Sequence, residues 1–159
     1  MPILPTLSKL PTIPTHTLSI AESLTGGLLS SSFVSQSGAS KYFLGSITAY
    51  TLDSKVKLLN IDATHAREVD CVSPLVARQM AKGVTEAFGS RVGIATTGYA
   101  ERPEGGGNVR AHFAVYDSTS GEYKDGRWEG KGKWERNEVR GEVARRARKL
   151  YEDWVKTWK

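Results

Sequence analysis

Apolar side chains recur along this chain in two rhythms. From 17 to 21 (Thr-Leu-Ser-Ile-Ala) they alternate with small polar residues, the period of a strand. From 25 to 36 the spacing changes: Leu28, Leu29, Ser32 and Phe33 share one face, which predicts a helix closed by Gly38. Residues 42–50, with Phe43, Leu44, Ile47 and Tyr50, read as a second strand, and 53–60 as a short helix with Asp53 in its first turn. Ser73-Pro74 is a strong helix start, serine as N-cap and proline at the first helical position. Val76, Met80, Val84 and Phe88 follow at helical spacing up to Gly89. Residues 92–97 form a short apolar strand, suited to a sheet centre. The stretch 98–108, with four glycines and a proline, predicts a loop. Alternation returns over 109–116, and 123–129 can pair with it across Ser118-Thr-Ser-Gly121. From Glu135 onward Val139, Val143, Ala147, Leu150, Trp154 and Trp158 step by three or four, predicting a helix of about six turns.

This order, strand, helix, strand, helices, strand, hairpin, helix, predicts an α/β fold: a three-layer α/β/α sandwich with a mixed central sheet. Four of the six prolines stand at 2, 5, 11 and 14. Proline removes backbone donors and biases its predecessor toward extended structure. Residues 1–15 therefore read as a proline-rich lead-in, with one helical turn near Leu7–Leu10, and 16–159 as a single domain.

The chain has 159 residues, 39% of them apolar, enough for one core of ordinary size. Twenty-two Lys and Arg against 17 Asp and Glu give a net charge of +5, which suits an anionic substrate, a nucleic acid, or solubility alone. The single cysteine excludes an intrachain disulfide and a cysteine-based zinc cage, and His16, His65 and His112 lack metal-ligand spacing. No metal and no organic cofactor is expected. No apolar run is long enough for a membrane span. No basic segment precedes an apolar stretch at the N-terminus, so the expectation is a cytoplasmic protein. The last helix carries Arg136, Arg140, Arg145, Arg146, Arg148 and Lys149, with Trp128 and Trp134 upstream. Cations interleaved with aromatics can bind strands. Glu138, Glu142, Glu152 and Asp153 dilute the charge, and a solvated helix face is the simpler reading.

The densest chemical feature is Ala21-Glu-Ser-Leu-Thr-Gly-Gly27. A strand ends, two glycines follow and a helix begins, a junction that offers backbone N–H groups to an anion or a developing oxyanion. Ser23 sits at this point. Pattern alone favours a plain helix cap at Ser23 or Thr25 over a nucleophile. The run is not a phosphate-binding Walker loop, since no Gly-Lys-Ser/Thr follows. A serine nucleophile needs a base. No histidine stands in a loop beside a carboxylate, so lysine is the alternative. Lys55 begins the helix after the second strand, and adjacent parallel strands would bring it near Ser23. A solvated surface lysine is the competing reading.

These residues carry a resemblance. The chain resembles the CinA C-terminal domain family, the nicotinamide mononucleotide amidases, over about residues 16–158. Ala21-Glu-Ser-Leu-Thr-Gly-Gly27 is similar to the family's Ala-Glu-Ser-Cys-Thr-Gly-Gly. Ser37-Gly-Ala-Ser40, Phe43, Gly45 and Tyr50 resemble its Pro-Gly-Ser-Ser…Phe…Gly…Tyr-Ser-Asn-x-x-Lys run, which places the lysine at Lys55. Val72-Ser73 with Ala77, Met80 and Ala81 resembles the helix after Gly-Ala-Val-Ser. Thr97-Gly98 is similar to the start of the Thr/Ser-Gly-x-Ala-Gly-Pro loop. Glu135-Arg136 and Val139-Arg140 resemble the Gly-Asp-Arg-x-x-Val-Arg that opens the last helix.

The resemblance implies hydrolysis of the nicotinamide carboxamide to nicotinate mononucleotide and ammonia, with Ser23 as nucleophile and Lys55 as base. Such a lysine must be neutral, its pKa lowered from about 10.4 toward 7–8. Tyr50 is expected to line the site and orient Lys55 through its hydroxyl. Thr25, Gly26 and Gly27 are expected to supply oxyanion N–H groups, Thr97 and Gly98 to meet the substrate, and Arg136 to hold its phosphate. An ion pair of Arg136 with Glu135 or Glu138 is the alternative. The partner implied is a small pyridine nucleotide; a homo-oligomer is left open, and neither a membrane nor a nucleic acid is expected. The chain also departs from the family pattern. Leu52 replaces an asparagine, Glu101-Arg102 stands where the family has one glycine, and Gly107-Asn-Val-Arg-Ala111 replaces Lys-Pro-Val-Gly-Thr. An altered specificity, or a nucleotide-binding protein of weak or absent activity, is the alternative that these departures raise.

Overall fold

The computed structural model describes residues 9–10 and 12–158. Its elements are β1 (Leu18–Glu22), α1 (Leu28–Val34), a 3-10 turn (Ala39–Lys41), β2 (Phe43–Thr48), α2 (Leu52–Leu59), α3 (Ala63–Glu68), α4 (Pro74–Phe88), β3 (Val92–Tyr99), β4 (Val109–Asp117), β5 (Glu122–Gly130) and α5 (Arg136–Val155). The sheet order is β2-β1-β3-β4-β5. β1 runs parallel to both β2 and β3, and β4 and β5 complete the sheet antiparallel. The central sheet is therefore mixed, as expected.

Every residue of β1 is buried, because helices cover both faces of the sheet there. On one side α1 and α5 pack Leu29, Phe33, Val139, Val143, Ala147 and Tyr151 against Leu18, Ile20, Ile94 and Phe113. On the other, α2 and α4 pack Leu59, Val76, Met80 and Val84 against Ala21, Ala95 and Ala114. This is the three-layer α/β/α sandwich. None of the described helices is long and apolar enough to cross a membrane.

Several boundaries differ from the sequence expectation. α1 starts at Leu28 because Gly26 and Gly27 take φ of 53° and 99°, left-handed values that a right-handed helix cannot include. It ends at Val34, before Gly38, which instead opens the 3-10 turn. α2 begins at Leu52 rather than Asp53, set by a reciprocal cap between Thr51 and Ser54. α3 was not expected; Asp62 caps it by accepting the His65 N–H at 3.0 Å. β3 continues through Gly98 to Tyr99, since its partner β4 pairs Gly98 with Ala111 and Tyr99 with Arg110. α4 matches its signals: the Ser73 side chain caps it, Pro74 opens it and Gly89 closes it at φ 66°. Of the lead-in, 1–8 and Pro11 lie outside the described residues, and with them most of the turn expected at Leu7–Leu10. Leu10 packs against the α5-side core, and His16 is hydrogen-bonded to the Tyr151 hydroxyl at 2.8 Å.

Candidate active site

A cleft of about 820 Å³ opens at the C-terminal ends of β1, β2 and β3. Strand order reverses here: β2 lies on one side of β1 and β3 on the other, the switch point where open α/β sheets bind ligands. Ser23 leaves β1 directly into the cleft. Tyr50, Thr51, Leu52 and Lys55 follow β2. Thr97, Gly98 and Tyr99 end β3, and Arg136 opens α5 above them.

Ser23 and Lys55, 32 positions apart in the chain, meet here: the Lys55 ammonium nitrogen Nζ is 3.0 Å from Ser23 Oγ. Their side chains are almost wholly buried, Lys55 at 2% exposure and Ser23 at 6%. The capped first turn of α2 makes this possible, because it fixes the helix start so that Lys55 points back at β1. Lys55 Nζ also donates to the Tyr50 carbonyl at 3.2 Å. No carboxylate forms a salt bridge with Lys55 among the described residues. Burial lowers its pKa, with smaller opposing contributions from the Cys71 thiol and the Asp70 carboxylate. Burial thus shifts Lys55 toward the neutral amine, whose lone pair would lie within hydrogen-bond reach of the Ser23 hydroxyl.

The Tyr50 hydroxyl does not orient Lys55, contrary to expectation; the backbone carbonyl of Tyr50 meets the lysine. The hydroxyl accepts from Arg136 Nη2 at 2.7 Å. Arg136 Nη1 pairs with Glu101 at 3.2 Å, so the ion pair is with the loop and not with Glu135 or Glu138. Glu138 instead accepts the Glu135 N–H at 2.9 Å and caps α5.

Thr25, Gly26 and Gly27 do not line the cleft. Thr25 is fully buried, its hydroxyl 2.7 Å from that of Thr96. The Gly26 N–H turns back to the Ser23 carbonyl at 3.1 Å. The Gly27 N–H donates to Glu22 Oε2, as does the Leu29 N–H, both at 3.1 Å. Ser30 donates its N–H to Glu22 Oε1 at 2.9 Å, and its hydroxyl reaches the same oxygen. Glu22, fully buried at the end of β1, thus takes the helix N-terminus that an oxyanion was expected to use. Among the described residues, the amides of Leu24 and Thr25 alone in residues 24–30 take no hydrogen-bond partner, and Leu24 lines the cleft. Arg140 braces the same turn, donating to the carbonyls of Leu24 at 2.9 Å and Thr25 at 3.3 Å.

Thr97 borders the cleft, but its hydroxyl donates to the Cys71 carbonyl at 2.6 Å. That bond ties β3 to a turn in which Asp70 and Cys71 both hold left-handed φ, 51° and 60°. Consecutive left-handed non-glycine residues are strained, and strain of this kind clusters at functional sites. Gly98 lines the cleft as expected, and a Cβ there would collide with Ala111 of β4. The sequence reading assigned no role to Glu22, Arg67, Asp70 or Tyr99. Glu22 had one signal, a carboxylate at a strand end just before Gly-Gly and a helix. Arg67 is brought to the cleft by α3, Asp70 by the α3–α4 connection and Tyr99 by the extra length of β3, none of which the sequence pattern predicts. Along α5, Arg145 and Arg146 pair with Glu142 and Lys149 with Asp153, pairs within the helix itself, while the buried Arg148 pairs with Glu152 and also donates to the Ser32 carbonyl at 2.8 Å, tying α5 to α1.

The model of the CinA C-terminal domain family matches residues 6–154. A CinA-like protein of Salinibacter ruber is 48% identical over 90 residues, 57% of this chain and 22% of that protein. A CinA-like protein of Acaryochloris marina is 42% identical over 106 residues, 67% of this chain and 25% of that protein. The matched part of the chain spans about a quarter of the length of these curated relatives. Among solved structures, a competence-damaged protein (CinA) superfamily protein of Escherichia coli superposes with a TM-score of 0.77 at 27% identity, over 87% of this chain and 79% of that one. The competence damage-inducible protein A of Klebsiella pneumoniae reaches a TM-score of 0.82 at 23% identity, over 91% and 89%, a likeness of fold.

Proposed function

The chain belongs to the CinA C-terminal domain family, and from that premise we propose that it is an amidohydrolase that converts the carboxamide of nicotinamide mononucleotide to the carboxylate, releasing ammonia. The observation that carries this reading is the buried contact between Lys55 Nζ and Ser23 Oγ at 3.0 Å, with burial favouring the neutral amine.

Ser23 Oγ attacks the carboxamide carbon while the lone pair of Lys55 Nζ takes the hydroxyl proton. The carbonyl oxygen becomes an oxyanion, for which the amide of Leu24, a cleft-lining residue whose N–H is left without a partner, is the candidate donor. Lys55 then passes its proton to the amide nitrogen, the C–N bond breaks and ammonia leaves an acyl ester on Ser23. A water molecule attacks the ester, Lys55 accepts its proton and returns it to Ser23 Oγ, and the carboxylate product departs. The sequence of steps needs no metal or organic cofactor. Arg136, which lines the same cleft from the start of α5, is the candidate for the substrate phosphate, with Tyr50 holding its guanidinium.

The test is ammonia release from nicotinamide mononucleotide by the purified chain. Ser23→Ala and Lys55→Ala should each fold and lose activity by about a thousandfold or more, the scale of losing an activated nucleophile or its base. Activity retained in either variant would refute the assignment.

A further inference from the structure

We propose that Glu101 is a specificity-determining residue of the cleft, competing with a substrate phosphate for Arg136 and so weakening the site's preference for phosphorylated over unphosphorylated carboxamides. Its kinetic meaning rests on the amidase reading; its binding test does not.

Both terminal nitrogens of Arg136 are engaged. Nη2 donates to the Tyr50 hydroxyl at 2.7 Å, and Nη1 pairs with Glu101 Oε1 at 3.2 Å. A phosphate recognised bidentately takes two parallel N–H groups of one guanidinium. At Arg136 a phosphate that takes the terminal pair Nη1 and Nη2 meets the Glu101 carboxylate already on Nη1 and must displace it there, and an undisplaced carboxylate beside the guanidinium would repel the phosphate. Tyr50 and Glu101 are not equivalent in this respect. The tyrosine hydroxyl is neutral and can remain beside a bound anion, whereas the carboxylate is itself an anion in the place the phosphate would take.

Glu101 reaches this position from the segment after β3, where Gly106 N–H bonds to the Pro103 carbonyl at 2.9 Å and Arg102 Nη2 donates to the Gly132 carbonyl at 3.1 Å. The side chains of Arg136 and Glu101 are 46% and 69% exposed, so water screens the pair. An exposed pair of this kind is weak. Glu101 therefore competes with the phosphate rather than shutting it out, and the expected effect is graded.

Binding is measured by calorimetry on Ser23→Ala protein, which cannot turn over substrate by the proposed route. The two ligands are nicotinamide mononucleotide and nicotinamide riboside, which differ by the phosphate. Adding Glu101→Gln should raise the preference for the mononucleotide about three- to fivefold, the scale of one exposed ion pair. In an Arg136→Ala background the same change should leave the preference unaltered. An unchanged preference in the first comparison, an equal rise in the second, or failure of the Glu101→Gln protein to bind either ligand would overturn the proposal. Ammonia release by the unmutated chain is followed separately. A shifted binding preference without ammonia release would keep the role of Glu101 and reject the amidase reading; ammonia release with an unshifted preference would do the reverse.

Discussion

Ser30 holds the Glu22 carboxylate with both its N–H, at 2.9 Å, and its hydroxyl. With the amides of Gly27 and Leu29 on the other oxygen, Glu22 satisfies the first turn of α1 from the end of the preceding strand. The residue directly before the candidate nucleophile is therefore a structural anchor, and the turn that presents Ser23 depends on it. Glu22→Ala should cost about 3–5 kcal/mol, because several buried donors lose one acceptor together. Glu22→Gln should fall between it and the unmutated chain, keeping one acceptor oxygen but turning an NH2 toward amide N–H groups. Urea unfolding followed by circular dichroism measures both. A loss below about 1 kcal/mol for Glu22→Ala would mean that water replaces the carboxylate.

Under the proposed mechanism, Lys55 links activity and stability through one proton. Burial lowers its pKa from the ordinary 10.5. Between the folded value and 10.5 the unfolded chain binds a proton that the folded chain does not. Stability is therefore highest above the unfolded value and falls as pH drops through this window to the folded value. Lys55→Met removes the penalty, so at neutral pH the variant should melt higher than the unmutated chain, with the advantage shrinking as pH approaches 10.5. The same titration predicts a rate that rises with pH along a limb below the ordinary lysine range. Melting curves and kcat/KM profiles over pH 6–10.5 test both, and a Lys55→Met protein less stable at every pH would contradict the sign.

Arg136→Ala should weaken binding of nicotinamide mononucleotide by about 1.5 kcal/mol, the low end for a charge-assisted hydrogen bond, because Glu101 already competes for the cation. Nicotinamide riboside should be affected far less. Equal losses on both ligands would identify Arg136 as a structural residue held for the sake of Tyr50 and α5.

Gly93 of β3 lies under α4 so closely that a Cβ would intrude on the Ala81 carbonyl and the Thr85 methyl group. Gly93→Ala should destabilise by about 2–3 kcal/mol, since the backbone of α4 must shift to admit it. Gly105→Ala is the control: nothing lies within 4 Å of its Cβ position and no positive φ opposes it. Its unfolding midpoint should stay unchanged, and a Gly93 variant that did the same would show α4 to be free to move.

Period and punctuation alone were enough to place most elements of this chain. Ser73-Pro74 and Gly89 bracket α4, and the alternation across Ser118–Gly121 yields the β4–β5 hairpin, because caps and turns are local chemistry written in adjacent residues. Spacing and resemblance likewise singled out Ser23, Lys55 and Arg136. What those residues touch is a different matter. A free N–H at a helix start looks the same in sequence whether an oxyanion or a buried carboxylate takes it, so the claim of Glu22 on Gly27 required the fold. The Tyr50 hydroxyl could have met Lys55 or Arg136, and the start of α5 above the ends of β1–β3 decided for Arg136. The partner of Arg136 is Glu101, 35 positions earlier, not the neighbouring Glu135 or Glu138. Local sequence determines backbone propensity and capping, which depend on residues a few positions apart. Partner choice among side chains depends on which strand ends and loops the sheet order brings together, and only tertiary packing sets that.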